Sequence, residues 1–184
     1  YNLQQYEQAV ADLEKATKIQ RATASDLLQL GLAHYYLENL DPAERYLSQV
    51  LNYDPDQAEA SRFLLIIGYQ KGIQHIEDGH YSEAAEAIST YTVKFPEDGE
   101  AWFNLGLAYL FAENLEAAEA AFLRNTLLKS ENNGESFDRL GYIYEKTNQY
   151  KRALENYQKA ADLTGSIEAR SSVDRIRRRL AQGG

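Results

Sequence analysis

The stretch AWFNLGLAYLFAENLEAAEAAF, residues 101–122, decides how this chain is read. Trp102, Leu105, Gly106 and Tyr109 fall at i, i+3, i+4 and i+7, the spacing of one helix face. Glu113-Asn114 supplies a short polar turn, and Leu115, Ala118 and Phe122 form a second apolar stripe. Gly106 inside the first helix costs about 1 kcal/mol relative to alanine, so it needs a packing reason. Two crossing helices provide one, because a minimal side chain lets the second backbone approach.

The arrangement recurs along the chain. An Ala followed four residues later by a large side chain occurs at Ala9/Leu13, Ala43/Leu47, Ala84/Ile88, Ala118/Phe122 and Ala153/Tyr157, at intervals of 34, 41, 34 and 35. A Gly stands 12 residues before four of these alanines, at Gly31, Gly72, Gly106 and Gly141. Polar turns at Glu38-Asn39, Asp78-Gly79 and Thr147-Asn148 separate the other pairs, and Pro55 and Pro96 mark helix ends. A period of this length is the signature of stacked helix pairs, each burying a face that it cannot bury alone.

These residues resemble the tetratricopeptide repeat family, whose pattern is W-x2-L-G-x2-Y…A-x3-F…P. Here it reads Trp102, Leu105, Gly106, Tyr109, Ala118 and Phe122, with Ser130 at the Pro slot. An earlier copy reads Leu27, Leu30, Gly31, His34, Ala43, Leu47 and Pro55; the last reads Phe137, Leu140, Gly141, Tyr144, Ala153 and Tyr157, with Gly165 at the Pro slot. The resemblance implies an all-α fold, a right-handed superhelical solenoid of antiparallel helix pairs with about ten helices. The expected division is 1–23, the second helix of a truncated repeat; 24–57, a repeat; 58–98, a repeat with a lengthened first helix; 99–133 and 134–165, two more repeats; and 166–184, a C-terminal capping helix. The first helix is expected over about Leu3–Gln20, with Tyr6, Ala9, Leu13 and Ala16 on its apolar face. The 41-residue interval adds seven residues between Ala58 and Asp78, nearly two turns, which predicts one unbroken helix of about 21 residues and roughly 31 Å. A loop insertion is the alternative.

Composition narrows the chemistry. The 184 residues carry 28 acidic and 19 basic side chains, a net charge of −9, with no Cys, no Met and 14 Tyr. Without cysteine there is no disulfide framework, zinc knuckle, iron–sulfur ligation or thiol nucleophile, and the compartment stays open between cytoplasm and periplasm. The acidic balance argues against nucleic acid or anionic lipid as the main partner. The longest apolar run, Phe63–Ile67, is far below the ~18 residues of a membrane span. The opening at Tyr1, without an initiator Met or a signal pattern, leads us to expect a piece of something longer. The segment 166–182 concentrates five arginines, Arg170, Arg175, Arg177, Arg178 and Arg179, against Glu168 and Asp174. That is a local +3 in an otherwise −12 chain, read as the solvated face of a capping helix or as a dock for an acidic partner.

No catalytic constellation is visible. His34 and His75 fall at slots that the repeat pattern gives to a buried aromatic, and His80 falls in a turn; none has metal-ligand spacing around it. No phosphate loop and no G-x-S-x-G motif occurs, so we expect neither enzyme activity nor a cofactor or metal.

The resemblance implies that first helices line a concave groove, with side chains at fixed offsets from each seam glycine facing it. Those expected to bind a partner are Leu28, Leu32, Tyr35, Tyr36, Tyr69, Ile73, Phe103, Asn104, Leu107, Phe111, Arg139 and Tyr142. Such a lining suits an amphipathic helix or an extended segment with apolar anchors, with Asn104 bonding a peptide backbone and Arg139 a carboxylate. The family's chaperone-tail readers hold a terminal carboxylate with Lys, Asn and Arg; Leu28, Leu32, Tyr69, Gln70 and Phe103 stand at those positions here, so that clamp is not expected. The leading expectation is a non-enzymatic protein-binding module without nucleic acid or membrane insertion. A self-assembling homo-oligomeric scaffold, or a regulatory domain of a larger enzyme, is the alternative.

Overall fold

A computed structural model describes residues 3–19 and 22–182. Within them the chain forms ten helices and no strand: α1 Leu3–Ile19, α2 Ala24–Tyr36, α3 Leu40–Tyr53, α4 Ala58–Glu77, α5 Tyr81–Lys94, α6 Gly99–Phe111, α7 Leu115–Leu128, α8 Asn133–Lys146, α9 Tyr150–Thr164 and α10 Ile167–Ala181. The fold is all-α, as the periodicity predicts. Gln20 lies outside the described residues, as does the side chain of Ala16. The chain divides into two compact units, Tyr1–Gln70 and Lys71–Gly184, and the division falls inside α4.

The seam glycines explain why the helices pair where they do. A Cβ on Gly31 would lie 2.6 Å from Leu47 Cγ, and one on Gly72 would lie 2.7 Å from Ile88 Cγ1. The same construction puts Gly106 2.6 Å from the Phe122 ring and Gly141 2.7 Å from the Tyr157 ring. Each glycine is a seat for the large side chain 16 residues later, and all four seated residues are buried. The alanines of the sequence pattern are fully buried one turn before them. Gly68, by contrast, faces open space, so of the two glycines in α4 only Gly72 has a packing role.

Inside each pair one turn geometry is repeated. Glu38, Gly79, Glu113 and Asn148 take φ of 60°, 80°, 61° and 58°. The next residue's N–H returns to the helix just ended: Asn39 to the His34 carbonyl, His80 to His75, Asn114 to Tyr109 and Gln149 to Tyr144, all at 2.7–2.9 Å. This six-to-one closure caps otherwise unpaired carbonyls and reverses the chain in three residues. Three of the four turns use a residue with a Cβ, at a steric cost of about 1 kcal/mol each.

Between pairs, two expected prolines are missing, and left-handed residues end the helices instead. Lys129 closes α7 at φ 53°, and Gly165 closes α9 at φ 67° with its N–H on the Ala161 carbonyl at 2.9 Å. The following helices start on side-chain caps where a short polar residue allows it. Thr23 and Asp26 form a reciprocal capping box on α2, and Asp98 and Ser166 cap α6 and α10.

In the first unit the core consists of Leu27, Ala43, Leu47, Val50, Ala60 and Ile67. In the second it is built from Ala118, Phe122, Leu140, Ile143, Tyr144, Ala153, Tyr157, Val173 and Ile176. Val173 and Ile176 come from α10, so that helix closes the core of its unit with an apolar face and leaves a basic one outside. The arginines on it are partly engaged. Arg175 makes a two-pronged pair with Glu145, at 3.1 and 2.6 Å, and Tyr157 donates its hydroxyl to the same carboxylate at 2.9 Å. Arg177 lies 3.8 Å from Asp174, and Arg179 sits over the Tyr150 ring. An equivalent group stands one repeat earlier: Tyr144 donates to Glu119 at 2.6 Å, and Arg152 reaches Glu119 at 3.0 Å while covering the Tyr144 ring.

His34 is buried and stacked on Tyr46, with ring centroids 5.5 Å apart and planes 11° from parallel. Neither ring nitrogen has a hydrogen-bond partner, and Glu14 is 4.0 Å away. Desolvation pushes its pKa below the ordinary 6.5, assisted by Arg45 and opposed by Glu14. The unfolded chain therefore binds this proton more tightly than the folded one. The stability that neutral His34 confers is complete above pH about 6.5 and is lost as pH falls through the lower folded value. The urea midpoint should drop between pH 7.5 and 5.5 by more in the wild type than in His34→Phe. Equal drops in both would refute the assignment.

Candidate functional site

The twelve residues expected on the groove separate into distinct environments. In the first unit Leu28, Leu32 and Tyr35 are half-buried and pack against the core of α2, α3 and α4. Tyr36 remains 44% exposed and belongs to an aromatic group. It stacks on Tyr6 of α1 at 4.9 Å and meets Tyr35 edge-on at 5.4 Å; Tyr35 in turn meets Phe63 edge-on at 4.9 Å. Edge-to-face and offset pairs of this kind add roughly 0.5–1.5 kcal/mol beyond area burial. The cluster is therefore structural on three sides, with one open ring. Tyr69 is half-buried on α4.

In the second unit Phe103 and Leu107 of α6 pack against the core, and the Phe103 ring meets the Phe122 ring at 5.8 Å. Ile73 and Asn104 are half-buried. Phe111 and Tyr142 stay 48% and 40% exposed, although both are large and apolar-bodied. They line one cavity of about 490 Å³ together with Leu110, Glu113, Leu115, Arg139 and Lys146. That volume lies in the range of about 300–1,000 Å³ usual for binding clefts.

Each wall of this cavity follows from the chain around it. Leu110 and Phe111 are the last two residues of α6. The left-handed turn at Glu113 brings Leu115, the first residue of α7, back beside them. Arg139, Tyr142 and Lys146 lie at i, i+3 and i+7 on α8 and so share one face. Phe111 is steadied by Tyr81, the first residue of α5, with ring centroids 5.1 Å apart. The Lys146 ammonium stands 5.3 Å from the centre of the Tyr142 ring, within the reach of a cation–π contact. Arg139 is paired at 3.1 Å with its neighbour Asp138, whose carboxyl is pushed above its ordinary pKa chiefly by burial and pulled back by Arg139.

The cavity thus unites three of the twelve expected residues, Phe111, Arg139 and Tyr142. The offset rule misses Glu113 and Leu115, because it counts along the first helix alone. The three-residue turn was the available signal: a tight hairpin returns the start of the second helix to the end of the first. Among the described residues no group of three or more His, Asp or Glu is placed to hold a metal, and no helix is long and apolar enough to cross a membrane.

Comparison with known proteins identifies the repeat and the fold. Two models described as tetratricopeptide repeat match the chain, one over residues 28–74 and 69–125, the other over 1–23 and 134–166. The transcription activator GutR of Bacillus subtilis is 30% identical over 151 residues, 75% of this chain; the chain spans only 18% of GutR's length. The crystal structure of MamA superposes with a TM-score of 0.63 at 22% identity, covering 83% of this chain and 85% of that one. The first TPR of Spaghetti (RPAP3), bound to the HSP90 peptide SRMEEVD, gives a TM-score of 0.59 at 19% identity, covering 64% of this chain and 93% of that one. At those identities the two structures speak to the fold alone.

Proposed function

This chain belongs to the tetratricopeptide repeat family, and from that premise we propose that it is a non-enzymatic module that binds a peptide or helical segment of a protein partner. The observation that carries this reading is the cavity at the α6–α7 turn and α8. It brings Phe111 and Tyr142, 48% and 40% exposed, onto one concave surface, whereas Tyr36 and Tyr53, exposed to a similar degree, do not line it. Aromatic side chains held by packing on one face lose little entropy on binding, which is why they dominate interaction hot spots. The repeat family serves protein–protein interaction, and the RPAP3 repeat, like this one in fold, is seen with a peptide. We do not extend that peptide to this chain, since the positions expected to clamp a chaperone tail carry Leu28, Leu32, Tyr69, Gln70 and Phe103. Of the residues expected on the groove, Phe111, Tyr142 and Arg139 form the proposed contact. Leu28, Leu32 and Tyr35 pack against the core of the first unit, and Phe103 and Leu107 against that of the second.

A random peptide library displayed on phage and selected on this chain tests the reading. Phe111→Ser with Tyr142→Ser should weaken the selected peptides by more than about tenfold, the loss of one hot-spot contact, while helicity is kept. Binding untouched by the double change would sink it.

A further inference from the structure

The two walls of the α6–α8 cavity differ in charge, and that difference selects a ligand. The α8 wall carries Arg139 and Lys146 two turns apart with Tyr142 between them. The α6–α7 wall is apolar, Leu110, Phe111 and Leu115, with Glu113 at its end. This cationic stripe, like the basic face of α10, lies on a chain with a net charge of −9. Among the described residues no carboxylate lies within 4.0 Å of the Lys146 ammonium, which stands over the Tyr142 ring. The Asp138 partner of Arg139 is a sequence neighbour and the pair is partly exposed. Such surface pairs are worth about 0–1 kcal/mol, so the guanidinium can exchange it for a better-placed carboxylate.

Resting on the peptide-binding reading above, the geometry points to an acidic-flanked apolar segment of a partner protein as the occupant. A Leu- or Phe-sized side chain enters against Leu110, Phe111 and Leu115. An Asp or Glu within a residue or two of it meets Lys146 and Arg139 on α8. Glu113 repels a carboxylate on the opposite side and so fixes which end of the segment carries the charge. Removing apolar surface supplies the affinity, and the two cations supply the choice among apolar segments.

Three displayed octapeptide libraries read this directly. Each holds a fixed Leu or Phe anchor, with flanking positions restricted to Asp/Glu, to Lys/Arg, or to Ser/Asn. The acidic-flanked library should enrich about threefold over the neutral one, and the basic-flanked library should not enrich. Lys146→Glu should reverse that order, and 0.5 M NaCl should flatten it by screening. Equal enrichment of acidic and neutral flanks, or a preference unmoved by Lys146→Glu, overturns the charge assignment. It leaves the groove reading intact provided that Phe111→Ser/Tyr142→Ser still abolishes capture. Enriched peptides that survive that double change, or no enrichment from any library, overturn both. A mass that rises with concentration in sedimentation, and falls to one chain in the double variant, puts a second copy in the cavity and also overturns the proposal.

Discussion

Phe122→Ala is expected to lower the stability of the second unit by about 3–5 kcal/mol, a large part of what a domain of this size possesses. The ring is fully buried, and its atoms occupy the seat that Gly106 leaves open. The same seat makes an unusual prediction for Gly106→Ala. Alanine is the better helix former by about 1 kcal/mol, so on an open face the change would stabilise. Here its Cβ would fall 2.6–2.9 Å from three ring atoms of Phe122, closer than carbon atoms tolerate. A side chain locked in a packed core cannot retreat freely, and overpacking costs about 1–3 kcal/mol. The two changes should be strongly non-additive, since in the double variant the new methyl lies in the void that the ring has left. Urea titrations of the four chains close the cycle. Additive losses, or a Gly106→Ala that gains stability, would show that the seat does not govern the pairing of α6 with α7.

Asn125→Leu should cost about 3 kcal/mol despite replacing a polar side chain with an apolar one of similar size. Asn125 is fully buried on α7, and its amide group faces the Gly99 carbonyl at 2.7 Å, Ser130 Oγ at 2.6 Å and Asn132 Oδ1 at 2.9 Å. Its own oxygen accepts from the buried Ser136 hydroxyl at 2.7 Å. One side chain thus ties the start of α6, the exit from α7 and the first turn of α8. Leucine would leave the Ser136 hydroxyl and the Gly99 carbonyl without this partner, at about 1–3 kcal/mol for each group that remains unsatisfied. Asn125→Asp keeps the shape, but it turns a donor toward acceptors into a carboxylate toward acceptors. It should be at least as damaging at pH 7. A loss under about 0.5 kcal/mol in both, the range of surface changes, would contradict the network.

This network also accounts for a departure that the repeat pattern left unexplained. Ser130 stands at an expected proline, and it serves as a hydrogen-bonding member of the cluster, with Oγ 2.8 Å from Asn132 Oδ1. The left-handed Lys129 supplies the helix stop that proline would otherwise enforce. Nothing in the local spacing could have announced this, because the partners come from three helices.

The seam glycines were legible because a seat requires two small things at a constant distance along the chain. Helical rise converts a fixed offset of 16 residues into a fixed meeting point across a three-residue turn. The same arithmetic predicts a lengthened helix where seven residues are added, and α4 runs unbroken for 20 residues, Ala58–Glu77. Phe103 and Phe111 show where that arithmetic stops. Both are aromatic, both lie on α6, and the repeat offsets put both on the groove. Phe103 is drawn onto Phe122 and packs on the core, whereas Phe111 at the helix end meets Tyr81 and stays half exposed. By itself the sequence determined the helices, their pairing and the seats, all properties of spacing within one segment. The tertiary structure alone decided which groove side chains are left for a partner, and that the α8 face of Arg139, Tyr142 and Lys146 shares one cavity with Leu110, Phe111 and Leu115. Exposure depends on how much distant chain arrives to cover a residue, and a local pattern holds no record of that.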